Sequence, residues 1–140
     1  MKIINIILIT SALVGCASSG VPNVREELNG WWDWSYLEHS CTTNAQRYSF
    51  SPDGKQVLVY APNGAAFGSD TPSKNLIYNI KSEIPHVLRM KGVGDVRKTD
   101  KGKLVAWDLV MKDSNTFCWH RADWKKSGCT KNLVRCNNIN

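Results

Sequence analysis

The stretch "RYSFSPDGKQVLVY", residues 47–60, decides how the rest of the chain is read. Two short runs, Arg47 to Ser51, which alternates polar and apolar residues, and Gln56 to Tyr60, which is rich in β-branched and aromatic residues, flank "SPDGK". Pro52 presets φ, the Asp53 side chain caps the turn, and Gly54 takes the positive φ that a tight hairpin needs. Two such strand-like runs on either side of a turn of this kind predict an antiparallel β-hairpin.

The same pattern continues in both directions. Upstream, "GWWDWSYLE" (30–38) places Trp32, Trp34 and Tyr36 on one face and Trp31, Asp33, Ser35 and Leu37 on the other. Downstream, a loop from Ala61 to Asn75 rich in Gly, Pro and Ser leads into Leu76 to Ile84, Val87 to Lys91 and a weaker strand around Val96 to Thr99. "DKGK" then turns the chain into Leu104 to Met111, and "KDSN" turns it into Thr116 to Arg121. About eight short strands joined mostly by hairpins predict an all-β fold. The expected architecture is a small antiparallel up-and-down barrel or half-barrel with a disulfide-stapled C-terminal tail. Closure places the first and last strands side by side and removes exposed sheet edges. Trp32, Trp34, Tyr36, Phe50, Trp107 and Trp119 compete for the inside of a small domain, so the barrel is expected to be mostly filled. Along 104–111, Val105, Trp107, Leu109 and Met111 form one apolar face, and only Asp108 interrupts the other. That strand is therefore expected to be covered on both sides. Asp108 is either exposed or paired with His120 or Arg121.

Gly30-x-Trp32 resembles the Gly-x-Trp that opens the first strand of lipocalins, and Arg121, on the last predicted strand, resembles the arginine that covers that tryptophan. The resemblance implies a barrel floor made by Gly30, Trp32 and Arg121, and a mouth that holds a small apolar molecule or an acyl chain. A guanidinium over an indole face contributes ~0.5–2 kcal/mol. From the residues alone, Trp32 fits equally well as the core of another small β-barrel.

The N-terminus carries an address. Met1-Lys2 and the apolar run from Ile3 to Val14 have the form of a secretory signal peptide and are too short to span a bilayer. Leu13-Val14-Gly15-Cys16 resembles the lipobox of bacterial lipoproteins. It implies a signal peptide over 1–15, a lipidated Cys16 as the mature N-terminus, and anchoring by acyl chains such as palmitate. Ala17 stands where an aspartate would signal retention in the inner membrane, so the resemblance points to the outer membrane, with the domain facing the periplasm. Residues 16–28 read as the lipidated N-terminus and a tether, and 29–140 as one β domain.

Setting Cys16 aside leaves Cys41, Cys118, Cys129 and Cys136, an even number in a small exported domain, hence two disulfides. The expected pairing is Cys41 with Cys118 and Cys129 with Cys136, the latter closing a short local loop. A metal reading of His39/Cys41 and Cys118/His120 is set aside, because no Cys-x-x-Cys spacing supports it and an oxidising compartment favours disulfides. No metal and no cofactor are expected.

The chain contains no Gly-x-Ser-x-Gly elbow, zinc-binding helix motif or phosphate-cradling glycine loop, so it is read as non-catalytic. From Cys16 onward it carries 17 Lys and Arg against 12 Asp and Glu. The basic excess is concentrated near the C-terminus, where Lys125, Lys126, Lys131 and Arg135 form an expected binding surface. Lipopolysaccharide, peptidoglycan or an acidic envelope protein would suit it, and nucleic acid would not suit the compartment. Three readings follow: a lipocalin-like binding lipoprotein for an apolar or anionic ligand, an inhibitor or immunity protein against a cell-wall-degrading enzyme or toxin, and a structural envelope lipoprotein.

Overall fold

The computed structural model describes residues 20–65 and 72–139. The expected signal peptide and the expected lipidation site Cys16 lie outside the described residues. A one-turn helix α1 (Val24–Glu27) precedes eight strands: β1 (Gly30–Trp34), β2 (Gln46–Phe50), β3 (Gln56–Ala65), β4 (Ser73–Ile84), β5 (Val87–Gly92), β6 (Trp107–Asp113), β7 (Thr116–Arg121) and β8 (Leu133–Cys136). Consecutive strands pair antiparallel and β1 pairs with β8, closing an up-and-down barrel.

The hairpin of residues 47–60 forms as its turn chemistry dictates. Asp53 Oδ1 accepts from Ser51 Oγ at 2.6 Å and from the Lys55 amide at 3.0 Å, while Gly54 sits at φ 67°. Two other expectations are corrected. Val96 to Thr99 makes only an isolated bridge, Lys98 to Leu104. Gly94 turns the chain at φ 81° and the neighbouring Asp95 captures Arg97, so this segment folds back over Trp107 and adds no ladder. The eighth strand is Leu133–Cys136, which was expected to be tail. Its few residues gain their partners from β1 and β7 at once.

An up-and-down barrel has two ends. The closed end holds α1 and the β2–β3, β4–β5 and β6–β7 turns; the open end holds the β1–β2, β5–β6 and β7–β8 loops, with the end of β3 and the start of β4. Residues 24–28, read from sequence as tether, are part of the core: Val24 and Leu28 are fully buried. The Val24 amide donates to Pro85 O at 2.7 Å, and the Trp32 indole donates to Leu28 O at 2.8 Å. Two apolar side chains in this short polar stretch suffice to plug the barrel floor. Arg25 adds a clamp, donating to Gly54 O at 2.6 Å and Glu83 at 2.8 Å while lying over Phe50.

Inside, Trp32 packs edge-on to Phe117 at 4.8 Å, Tyr48 edge-on to Phe117 at 5.3 Å, and Tyr78 stacks on Trp119 at 5.2 Å. Trp34, Phe50 and Trp107 pack against this cluster from partly buried positions. Tyr36, expected inside, is 61% exposed. Strand β1 ends at Trp34 because the buried Asp33 carboxylate accepts from the amides of Trp34 (2.7 Å) and Cys41 (2.8 Å), which folds the following loop onto the outer wall.

The disulfides are Cys41–Cys136 and Cys118–Cys129. The pairing expected from sequence is therefore corrected. Cys136 lies opposite Trp31 in the β1–β8 register, on the outer wall where the 35–45 loop folds down, so Cys41 meets it there. Residues 129–130 run back along β7, with the Thr130 amide donating to Trp119 O, which brings Cys129 to Cys118.

Candidate functional site

The closed end is a structural plug, and it answers the question of the floor arginine. Arg135 on β8, whose register partner is Trp32, places its guanidinium 4.4 Å from the Trp32 ring. Its Nη1 donates to Asn29 O at 3.1 Å, its Nε to Ser114 O at 3.0 Å, and Nη2 also donates to Glu27 O. Arg121 does not cover Trp32. It sits at the far end of β7, in a bidentate pair with Asp123 at 2.7 and 2.8 Å. The arginine role belongs to the strand that closes on β1, and that strand is β8. Gly30 holds φ 134°, and an added Cβ would stand 3.2 Å from Arg135 Nη1, so glycine also makes room for the guanidinium.

The open end carries a shallow cleft of about 250 Å³. Its walls come from Trp34, Tyr48, Tyr78, Trp107 and Trp119, with Gln46 and Arg97 as polar members. Gln46 accepts the Tyr48 hydroxyl at 3.0 Å. Burial pushes the Tyr48 and Tyr78 hydroxyls well above the ordinary phenol range, so both stay protonated. At the rim, Arg97 and Asp95 form a bidentate pair at 2.8 Å per bond, the Trp107 indole donates to Asp95 at 3.2 Å, and the Arg97 guanidinium lies 4.8 Å from the Trp107 ring. Burial alone would raise the Asp95 carboxyl, but the donors of Arg97 and Trp107 outweigh it and hold it below the ordinary carboxylate range. The cleft is thus an aromatic box with a neutralised ion pair on its lip. Such a lining binds apolar or planar groups, and its volume falls short of the several hundred Å³ of a drug-sized pocket.

The expected basic surface is divided. Lys125 and Lys126 are exposed in the β7–β8 loop at the open end, and Lys131 is exposed farther along toward β8. Arg135 is removed from the set, since it works at the closed end. Asp108 is buried and takes a bidentate pair from Arg89 (2.7 and 2.8 Å), with His120 Nδ1 at 3.5 Å. Arg89 was not among its expected partners; the β5–β6 register places it directly opposite. The His120 Nε2–H donates to Lys125 O at 2.9 Å, which ties the β7–β8 loop to the wall. Cys41 and Cys118, the cysteines of the two His/Cys pairs, are both taken up in disulfides.

Sequence reasoning missed Asp95, Arg97 and Tyr78 as members of the mouth. The Asp95-x-Arg97 spacing was visible in the sequence, but only the fold aims it at Trp107. No protein-family model, curated protein or solved structure matches the chain.

Proposed function

We propose that this chain is a non-catalytic, lipid-anchored binding module of the bacterial envelope, which takes one ring or short chain segment of an apolar or amphiphilic molecule in the barrel mouth. The observation that supports it is the aromatic cleft: it is open at one end only, because α1, Trp32 and Arg135 plug the other. The lipid anchor rests on the lipobox-like Leu13-Val14-Gly15-Cys16, and Cys16→Ser is expected to release the protein from the membrane fraction.

The cleft is tested with N-phenyl-1-naphthylamine, whose emission rises in an apolar site. The chain should enhance it saturably, Ala65→Trp should abolish the enhancement by filling the cleft, and Tyr60→Ala, on the outer wall, should leave it intact. Enhancement that survives Ala65→Trp would reject the mouth as the site.

One observation favours the inhibitor or immunity reading as a second possibility. On the outer wall, Trp31, Arg47 and Tyr60 lie side by side across β1, β2 and β3, with Tyr60 41% exposed. Trp, Arg and Tyr are the residue types that dominate protein interfaces. Loss of partner capture on Trp31→Ala plus Tyr60→Ala, with probe binding unchanged, would select that reading.

A further inference from the structure

Exposed apolar groups and positive charge gather at the same end of the barrel. Of the eight large apolar side chains exposed among the described residues, five, namely Tyr36, Val93, Val96, Leu104 and Trp124, lie in loops of the open end. Segments 91–106 and 121–132 together carry nine Lys and Arg against three Asp, a net +6. Residues 16–140 as a whole stand at +5, so the remainder of that span sums to −1. The net charge of the protein is therefore that of the β5–β6 and β7–β8 loops together with Lys91 and Arg121 at the strand ends that enter them.

Within that excess, Arg97 and Arg121 are neutralised by Asp95 and Asp123. The lysines are left as free cations: among the described residues none of them is in an ion pair. Lys91, Lys101 and Lys103 surround a groove of about 520 Å³ floored by Leu104, Ala106 and Ala122, in which Asp100 is the one acid without an arginine partner. Beside it, Trp124 stands edge-on to Trp107 at 5.8 Å and is 40% exposed.

We propose that the β5–β6 and β7–β8 loops form a docking surface for an anionic phospholipid bilayer. The lysines meet headgroup phosphates, and Val96, Leu104 and Trp124 enter the interfacial layer. Cations interleaved with small apolar groups and a tryptophan suit the boundary between headgroups and acyl chains, where each lysine adds attraction and each apolar group removes surface from water. A purely saccharide or peptide polyanion would use the lysines and leave Val93, Val96 and Leu104 without a role. The surface is at the opposite end of the barrel from Asn23, where the chain enters the fold, so it is a second lipid contact separate from an anchor at Cys16. It does not depend on occupancy of the mouth cleft.

The test uses the chain from Gly20 onward, which contains α1, the whole barrel and both disulfides. It is sedimented with vesicles of phosphatidylglycerol and phosphatidylethanolamine, and with vesicles of phosphatidylcholine alone. Binding is expected to the anionic vesicles only and to weaken as salt is raised. Lys101→Gln plus Lys103→Gln should lower the partition coefficient roughly 10- to 30-fold, from the attraction expected per lysine near an anionic surface. Leu104→Ser should weaken binding at all salt concentrations. Vesicles should shift tryptophan emission to the blue in the parent and not in Trp124→Phe. Ala65→Trp, which fills the mouth cleft, should bind vesicles as the parent does, so the two proposals fail separately. Circular dichroism identical to the parent is expected of Lys101→Gln plus Lys103→Gln, Leu104→Ser and Trp124→Phe, all at exposed positions. Equal binding to both vesicle types, or binding untouched by the lysine pair, overturns the proposal. Capture by soluble polyglutamate without vesicle binding overturns it in favour of an acidic protein partner.

Discussion

Replacing Arg135 by alanine should remove much of the stability of the barrel. Its guanidinium stacks on Trp32 at 4.4 Å, and such a partly desolvated contact contributes about 1–2 kcal/mol. It also donates to three carbonyls, of Glu27, Asn29 and Ser114, which joins the end of α1, the start of β1 and the β6–β7 turn. The Arg135 side chain is 20% exposed, so water reaches some of these carbonyls once it is gone, and each charged hydrogen bond is taken at about 1 kcal/mol net. The sum is about 4–5 kcal/mol, a large share of the roughly 5–15 kcal/mol typical of a domain. Urea unfolding of the disulfide-intact chain, followed by tryptophan emission, measures it directly. Arg135→Lys should recover less than half, because an ammonium cannot cover the indole and span three carbonyls together. Arg121→Ala, which breaks an exposed rim ion pair with Asp123 and a long hydrogen bond to Lys98 O at 3.4 Å, should leave the midpoint close to the parent's. A loss under about 1 kcal/mol for Arg135→Ala, or an equal loss for Arg121→Ala, would refute the assignment of the floor to Arg135.

The disulfides differ in the loops they close. Chain entropy gives about 4.7 kcal/mol for Cys41–Cys136, separated by 95 residues, and about 2.8 kcal/mol for Cys118–Cys129, separated by 11. Paired serine substitutions and denaturation should return that order, and non-reducing peptide mapping should find no Cys129–Cys136 link. Leu28→Ala should cost about 2–5 kcal/mol, since the side chain is fully buried in the barrel floor; a cost near zero, measured by thermal unfolding, would return residues 24–28 to the role of tether. Asp95 has its carboxyl held below the ordinary value of 3.8, so its contribution is complete above that value and is lost as pH falls through the lower folded value. Tryptophan emission should report this loss below about pH 4 in the parent, and Asp95→Asn should flatten that part of the titration.

The all-β class, the hairpin at 47–60 and seven of the eight strands were legible in the chain, because each depends on local facts: alternation with a period of two and turn residues with fixed φ. Charge totals and the even set of cysteines were equally legible, since they need no geometry. The cap was not. Val24 and Leu28 lie in a stretch too short for a periodic signal, and their burial is created by Trp32 and the barrel end they plug. Strand β8 was missed for a related reason, as four residues carry little pattern and β8 is defined by β1 and β7 offering it edges. Once β8 is the closing strand, Arg135 takes the place over Trp32 that Arg121 was expected to hold, and Cys136 lies beside Cys41. The basic surface shows the same division. The sequence by itself set how many lysines there are; only closure of the barrel placed the 91–106 and 121–132 loops at one end and sent Arg135 to the other, because which residues of an antiparallel barrel become neighbours depends on strand count and register, and both are properties of the whole sheet.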